Sequence, residues 1–428
     1  MLQRFLPLAV KIRKRHPGVF YFLARIAKRF FGQTLGVFPR ILGNEVEAVT
    51  EILRSSQWNM AYGRGLVHER LEAEFSEFVG TKHAVAVGSG GMALQMSLRA
   101  LGLKPGDEAI HQVDTCSATA MAVMNAGVTP IFADISEQTF MLDCADVQRR
   151  IGGQTKALIA THMWGNPEDV SKLRQIAHDN GLRFVEDTCL ALGAIAAGKP
   201  AGCWGDVGVF SFGCLKPIQT GEGGMIVTND EALAKELRSL RHWGDRTIEF
   251  GVRDVTQLAW NGRMSEILAG IAREQLRGYP GHLEELRARV ADFRSAYADC
   301  PGFSMVLGAT DSVPSSAFTQ VVLRLEESAF GLSKRELMDF LGQSGVPHWH
   351  ANFELINTLS FFRGDAWRDW ILRGDIDRVA ANNSGSFPAA ERVYAQSGLG
   401  LSKSNFLSDG NRRHLDTVIQ SLSRKSGS

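Results

Sequence analysis

The sequence predicts an α/β protein: a large domain with a mostly parallel sheet covered by helices on both faces, plus a smaller C-terminal α/β domain. Three observations predict it. Across 83–228, short apolar stretches alternate with helical ones, the pattern of a parallel sheet wound by crossover helices. One apolar stretch, Leu182-Arg183-Phe184-Val185, ends in two acids, Glu186-Asp187, and open α/β sheets bind ligands at the carboxyl ends of strands. The 428 residues also exceed one ordinary core, so two domains are expected.

The elements follow in order. Residues 45–55 carry Val46, Val49, Ile52 and Leu53 at helical spacing, and 67–79 repeat the pattern with Leu71, Phe75 and Phe78. Strands are predicted over 84–87, 109–112, 130–133, 157–161, 183–186, 207–210 and 225–228, with helices over 93–101, 118–126 and 170–180. Further helices are predicted at 231–240 and 264–277, and a separate long one at 282–298 leaves the large domain. The domains are read as a basic N-terminal arm (1–40), a large domain (41–280) and a small C-terminal domain (281–428). In the last, 321–325 is the clearest strand, 333–344 a helix capped by Ser333, and 412–422 the final helix.

Composition narrows the class. Hydrophobic content of 44% and charged content of 22% are globular values, and a net charge of +1 offers no field to gather nucleic acid. The six cysteines lack metal-type spacing, which reads as reduced thiols in a cytoplasmic protein. No apolar run reaches the length of a transmembrane helix, roughly 18 residues or more. The arm differs from the rest: it carries Arg4, Lys11, Arg13, Lys14, Arg15, Arg25, Lys28, Arg29 and Arg40, no acid, and apolar residues such as Phe5, Phe20 and Phe30. Two readings stand, a helical arm packed on the domain or on a second subunit, and a basic amphipathic segment making peripheral contact with a membrane.

Lys216 lies in a Gly-flanked turn between two buried strands, in Phe210-Ser211-Phe212-Gly213-Cys214-Leu215-Lys216 followed by Gly221-Glu222-Gly223-Gly224. Desolvation makes a lysine easier to deprotonate, and so a nucleophilic amine suited to a Schiff base; taken alone, the lysine also reads as a loop residue reaching solvent. Asp187, at the strand end, is placed to hold the protonated ring nitrogen of pyridoxal phosphate (PLP), or simply to cap the helix that follows. His162, at another strand end, is read as facing this site or as structural. His348 and His350 share one strand face with no third ligand evident.

Six segments in register complete the pattern: 80–90, 104–108, 127–135, Val185-Glu186-Asp187, the Lys216 turn with its glycines, and Asn261-Gly262-Arg263-Met264-Ser265-Glu266. Together they make the stretch from about Ile41 to Leu276 resemble the DegT family of PLP-dependent sugar aminotransferases. The resemblance implies a homodimer with shared active sites, PLP as cofactor, glutamate or glutamine as amino donor, and a keto-sugar acceptor, most naturally nucleotide-linked. It makes Lys216 the Schiff-base and proton-carrying residue and Asp187 the ring-nitrogen partner. The cofactor phosphate falls to the turn of Gly90, Gly91 and Met92, to Ser211, and to Asn261 from a neighbouring subunit. Four positions depart from the family pattern: Gly91 replaces a threonine, Cys116 a ring-stacking aromatic, Leu190 a glutamine and Leu192 a histidine. The last three departures leave room for a non-catalytic scaffold, and relatives acting on cyclitols or aminated aromatic precursors supply the other alternative.

Overall fold

A computed structural model describes residues 41–56, 65–246, 254–309, 313–351, 355–364, 366–371 and 376–426. The basic arm lies outside the described residues. Seven strands form the large sheet: β1 (His83–Val87), β2 (Glu108–Gln112), β3 (Thr129–Ala133), β4 (Thr155–Thr161), β5 (Arg183–Asp187), β8 (Val207–Ser211) and β9 (Gly224–Thr228). Their order is β1-β9-β8-β5-β4-β2-β3, and β9 alone runs against the others, pairing antiparallel with both β1 and β8. Between β5 and β8 the chain makes a two-residue hairpin of β6 (Ile195–Ala196) and β7 (Lys199–Pro200), which the sequence patterns did not show.

Helices cover both faces because the strands are apolar on both sides. On one face, α3 (Gly90–Ala100), α4 (Ser117–Asn125) and α7 (Glu231–Arg241) bury Leu94, Val123 and Leu237 against Val85, Ile159, Val185 and Val209. On the other, α2 (Leu66–Val79) and α8 (Glu266–Ala296) bury Leu71, Phe75, Ala269 and Leu276 against Ala86, Phe210 and Met225. Among the described residues the large domain also holds α1 (Glu45–Ser55), α5 (Cys144–Arg150) and α6 (Val170–Asp179). Edge strand β1 is closed by side chains: the N–H of Ala86 donates to Glu72 Oε1 at 2.9 Å and its carbonyl accepts from Arg241 at 2.9 Å. Arg241 and Glu72 are themselves paired at 2.5 Å, so the buried charges satisfy both the edge and each other.

The two helices expected around residue 280 form one. Pro280 sits inside α8 without ending it. The helix survives because each half is anchored: Ala269, Ala272 and Leu276 belong to the large core, whereas Leu286, Val290 and Phe293 belong to the small one. The small domain holds an antiparallel sheet of β10 (Phe303–Val306), β11 (Gln320–Leu325), β12 (His348–His350) and β13 (Gly398–Ser402), in the order β10-β11-β13-β12. Helices α9 (Lys334–Gln343) and α10 (Asp409–Ser426) pack on it. The capping serine of α9 is present as a reciprocal box, Ser333 accepting from the Glu336 N–H and Glu336 from the Ser333 N–H.

Candidate active site

The sheet brings the candidate residues to the carboxyl ends of β1, β5 and β8. Asp187 is the last residue of β5 and is 5% exposed. Both carboxylate oxygens are engaged: Oδ1 accepts from the N–H of Cys189 at 3.1 Å and Oδ2 from the hydroxyl of Thr119 at 3.3 Å. Thr119 was not foreseen. It stands in the first turn of α4, three residues after Cys116, and the helix rather than a motif delivers it.

Lys216 follows β8 and is half-buried. Its loop is closed by backbone bonds from Thr220 to Phe212 (2.9 Å) and from Phe212 to Gly223 (2.8 Å), and the Gln219 side chain donates to the Lys216 carbonyl at 3.1 Å. Leu215, the residue before the lysine, takes φ of 68°, a left-handed conformation that is strained for a branched side chain. The lysine is thus presented by a backbone held under constraint. Burial and the Asp187 carboxylate push the Cys189 thiol well above its usual range, while the Lys216 ammonium opposes them. Cys189 therefore lies within the field of both charged residues.

The turn after β1 forms a cradle. Ser89 caps α3, its hydroxyl accepting from the N–H of Met92 at 3.1 Å. Met92 is thus already supplied with an acceptor, and the amides of Gly90 and Gly91 are the first-turn donors at the mouth of the helix. Gly90 is required by close approach: a Cβ there would lie 2.7 Å from Ser211 Cβ and 3.1 Å from Cys189 Sγ. Ser211 ends β8 directly opposite, and its hydroxyl accepts from the N–H of Gly213 at 3.3 Å. A helix N-terminus, a serine hydroxyl, an oriented carboxylate and a loop lysine therefore converge at one end of the sheet, a donor set that fits PLP.

Cys116 is the half-buried N-cap of α4. Leu190 is buried with Met163 and Trp164. Leu192 turns away, into the core between sheet and α8, where its carbonyl accepts from the Tyr279 hydroxyl at 2.7 Å. Asn261 is exposed; its neighbour Gly262 accepts from the Gly88 N–H at 2.8 Å, which ties this segment to the end of β1. Arg263 stacks over Trp243 at 4.1 Å and donates to His242 Nδ1 at 2.7 Å.

His162 does not face the site. It is fully buried, with Nδ1 accepting from the Glu168 N–H and Nε2 donating to Glu186, both at 3.0 Å. Glu186 also accepts from the N–H groups of Gly202 (2.9 Å), Trp204 (2.5 Å) and Gly205 (2.8 Å). The pair Glu186-Asp187 thus divides its work: alternation along the strand sends Glu186 to clamp a loop on one face and Asp187 to the site on the other. His348 and His350 lie on edge strand β12, the latter stacked on Tyr394 at 4.9 Å.

Comparison with known proteins identifies the family. The model of the DegT/DnrJ/EryC1/StrS aminotransferase family matches residues 39–366. The chain belongs to that family. It is a PLP-dependent aminotransferase. It is 32% identical over 309 residues to GDP-perosamine synthase of Vibrio cholerae, covering 72% of this chain and 82% of the relative. With GDP-perosamine synthase of Caulobacter vibrioides it shares 38% identity over 248 residues, 57% of this chain and 65% of the relative. Among solved structures, S. venezuelae DesV in complex with a ketimine intermediate superposes with a TM-score of 0.75 at 29% identity, covering 89% of this chain and 94% of that one. Among the described residues, no helix is long and apolar enough to cross a membrane.

Proposed function

We propose that this aminotransferase acts in the cytoplasm as a homodimer, moving an amino group from glutamate or glutamine onto a nucleotide-linked keto-sugar, with a GDP-sugar as the acceptor class. The observation that carries the reading is the convergence of Lys216, Asp187 and the Gly90 cradle in a chain about a third identical to two GDP-perosamine synthases. When bound, PLP supplies an aldehyde that carries the amino group and a protonated ring that withdraws electron density.

The residues divide the remaining tasks. Gly90 and Gly91 amides and the Ser211 hydroxyl bind the phosphate, with Met92 completing the turn. Asp187 holds the proton on the ring nitrogen, its oxygens aligned by Thr119 and Cys189. Lys216 Nζ is the nucleophile and then the base that carries the migrating proton. Cys116 and Leu190 line the pocket with a polarisable and an apolar surface where an aromatic and an amide would otherwise lie. Asn261 of the partner subunit reaches the phosphate. The exposed Leu258 (78%), Val255 (55%) and Trp243 (46%) around that segment support a subunit interface there.

The test is the visible spectrum of the purified protein with added PLP, beside Lys216→Ala. A Schiff-base band that glutamate bleaches, that the variant lacks, and that a GDP-linked keto-sugar restores is the expected result. A band bleached by glutamate but restored only by a cyclitol ketone would overturn the acceptor; no band at all would favour a scaffold.

A further inference from the structure

The polar surroundings of Asp187 extend beyond Thr119 and Cys189. His111, in β2, is fully buried and packs at a tilt against Phe132, with ring centroids 5.3 Å apart. Its Nδ1 donates to the carbonyl of Gln112 at 2.9 Å, which leaves Nε2 as a lone-pair acceptor on a neutral ring. Burial pushes its pKa down to about 4, against the opposing pull of the Gln112 carbonyl and the Asp187 carboxylate. Among the described residues, neither His111 Nε2 nor the buried hydroxyl of Thr161 has a hydrogen-bond partner.

The strand register places these residues on one face of neighbouring strands. Ala109 pairs with Ala157 between β2 and β4, and Thr161 pairs with Asp187 between β4 and β5. Alternate residues share a face, so His111, Thr161 and Asp187 all project from the side covered by α4. A buried acceptor and a buried hydroxyl beside a carboxylate form the kind of polar niche that an internal water fills with two to four partners.

We propose that His111 and Thr161 are positioning residues for Asp187, holding one internal water that accepts from the Thr161 hydroxyl and donates to His111 Nε2 and to the Asp187 carboxylate. The water is a third donor to that carboxylate and fixes its charge and direction toward the cofactor ring nitrogen. The proposal rests on the role given to Asp187 above, so the experiment separates the two.

Holoenzyme is reconstituted with PLP carrying ¹⁵N in the ring, and the nitrogen resonance and PLP dissociation constant are measured for wild type, Thr161→Val, His111→Phe and Asp187→Asn. Thr161→Val removes only the hydroxyl, and thermal melting identifies any variant that has not folded. The expected result is a protonated-nitrogen signal in wild type, displaced toward the neutral position in both Thr161→Val and His111→Phe, with PLP held about tenfold more weakly. An unchanged nitrogen signal in folded Thr161→Val overturns the bridge, whatever His111→Phe does. An unchanged signal in Asp187→Asn instead refutes the assignment of Asp187 itself. A crystal structure of the wild type with a water within hydrogen-bond distance of all three side chains supports the bridge, and a dry contact among them overturns it.

Discussion

Gly90 and Gly91 are adjacent in sequence, yet a side chain should have opposite effects at the two positions. A Cβ on Gly90 would sit 2.7 Å from Ser211 Cβ and 3.1 Å from Ser211 Oγ and Cys189 Sγ. Ser211 Cβ is fixed to the end of β8 and cannot swing aside, so Gly90→Ala must push α3 away from β8. Overpacking of this kind costs about 1–3 kcal/mol. Where that cost falls on the phosphate cradle, PLP should bind roughly 5- to 150-fold more weakly. A Cβ on Gly91 would meet only Ser89 Oγ, at 4.0 Å. Gly91→Thr therefore fits, trades a poor helix former for a better one, and adds a hydroxyl beside the phosphate-binding amides. A hydrogen bond to a charged group contributes about 1.5–3 kcal/mol, so PLP should bind about tenfold more tightly or better. The assay is equilibrium titration of apo-protein with PLP, followed by its visible band, with thermal melting as the folding control. Wild-type affinity in Gly90→Ala, or affinity in Gly91→Thr no better than wild type, would refute the cradle.

Two further predictions follow from other parts of the structure. Glu168 is buried, Oε1 accepts from the Leu142 N–H at 3.1 Å, and burial raises its pKa to about 8 from an ordinary 4.5. The folded state therefore keeps a proton that the unfolded chain releases, and this contribution, present below about pH 4.5, is lost as pH rises through about 8. Glu168→Gln should gain on wild type by about 2–4 kcal/mol between pH 5 and pH 8 in urea unfolding, and an equal difference at both pH values would count against it. If Asn261 serves the neighbouring site, mixing Lys216→Ala with Asn261→Ala subunits should restore about a quarter of wild-type activity, since random pairing leaves one intact site in each mixed dimer. No recovery on mixing would place Asn261 in its own subunit's site or outside both.

Much of the site was legible because its chemistry sits where elements end. The acids closing β5, the glycines flanking Lys216 and the Ser89-Gly90-Gly91 turn are local signals, and each marks a strand terminus. Direction was harder to read. His162 and Asp187 both end strands, but one is buried against Glu186 and the other faces the site. Glu186 and Asp187 are neighbours that point to opposite faces. Leu192 occupies a family position of chemical interest and yet packs in the core. Thr119 carries no motif of its own, and only the docking of α4 aims its hydroxyl at Asp187.

The sequence by itself determined the alternating strand and helix order and the family, because periodicity and short turn motifs are properties of contiguous residues. The tertiary structure decided what depends on residues far apart in the chain. It merged two expected helices through Pro280 by anchoring each half in a different core. It closed the β1 edge with the Glu72–Arg241 pair. It also set Gly90 against Ser211 and Cys189, a contact across three strand ends that requires glycine for lack of space, not for any need of an unusual backbone angle.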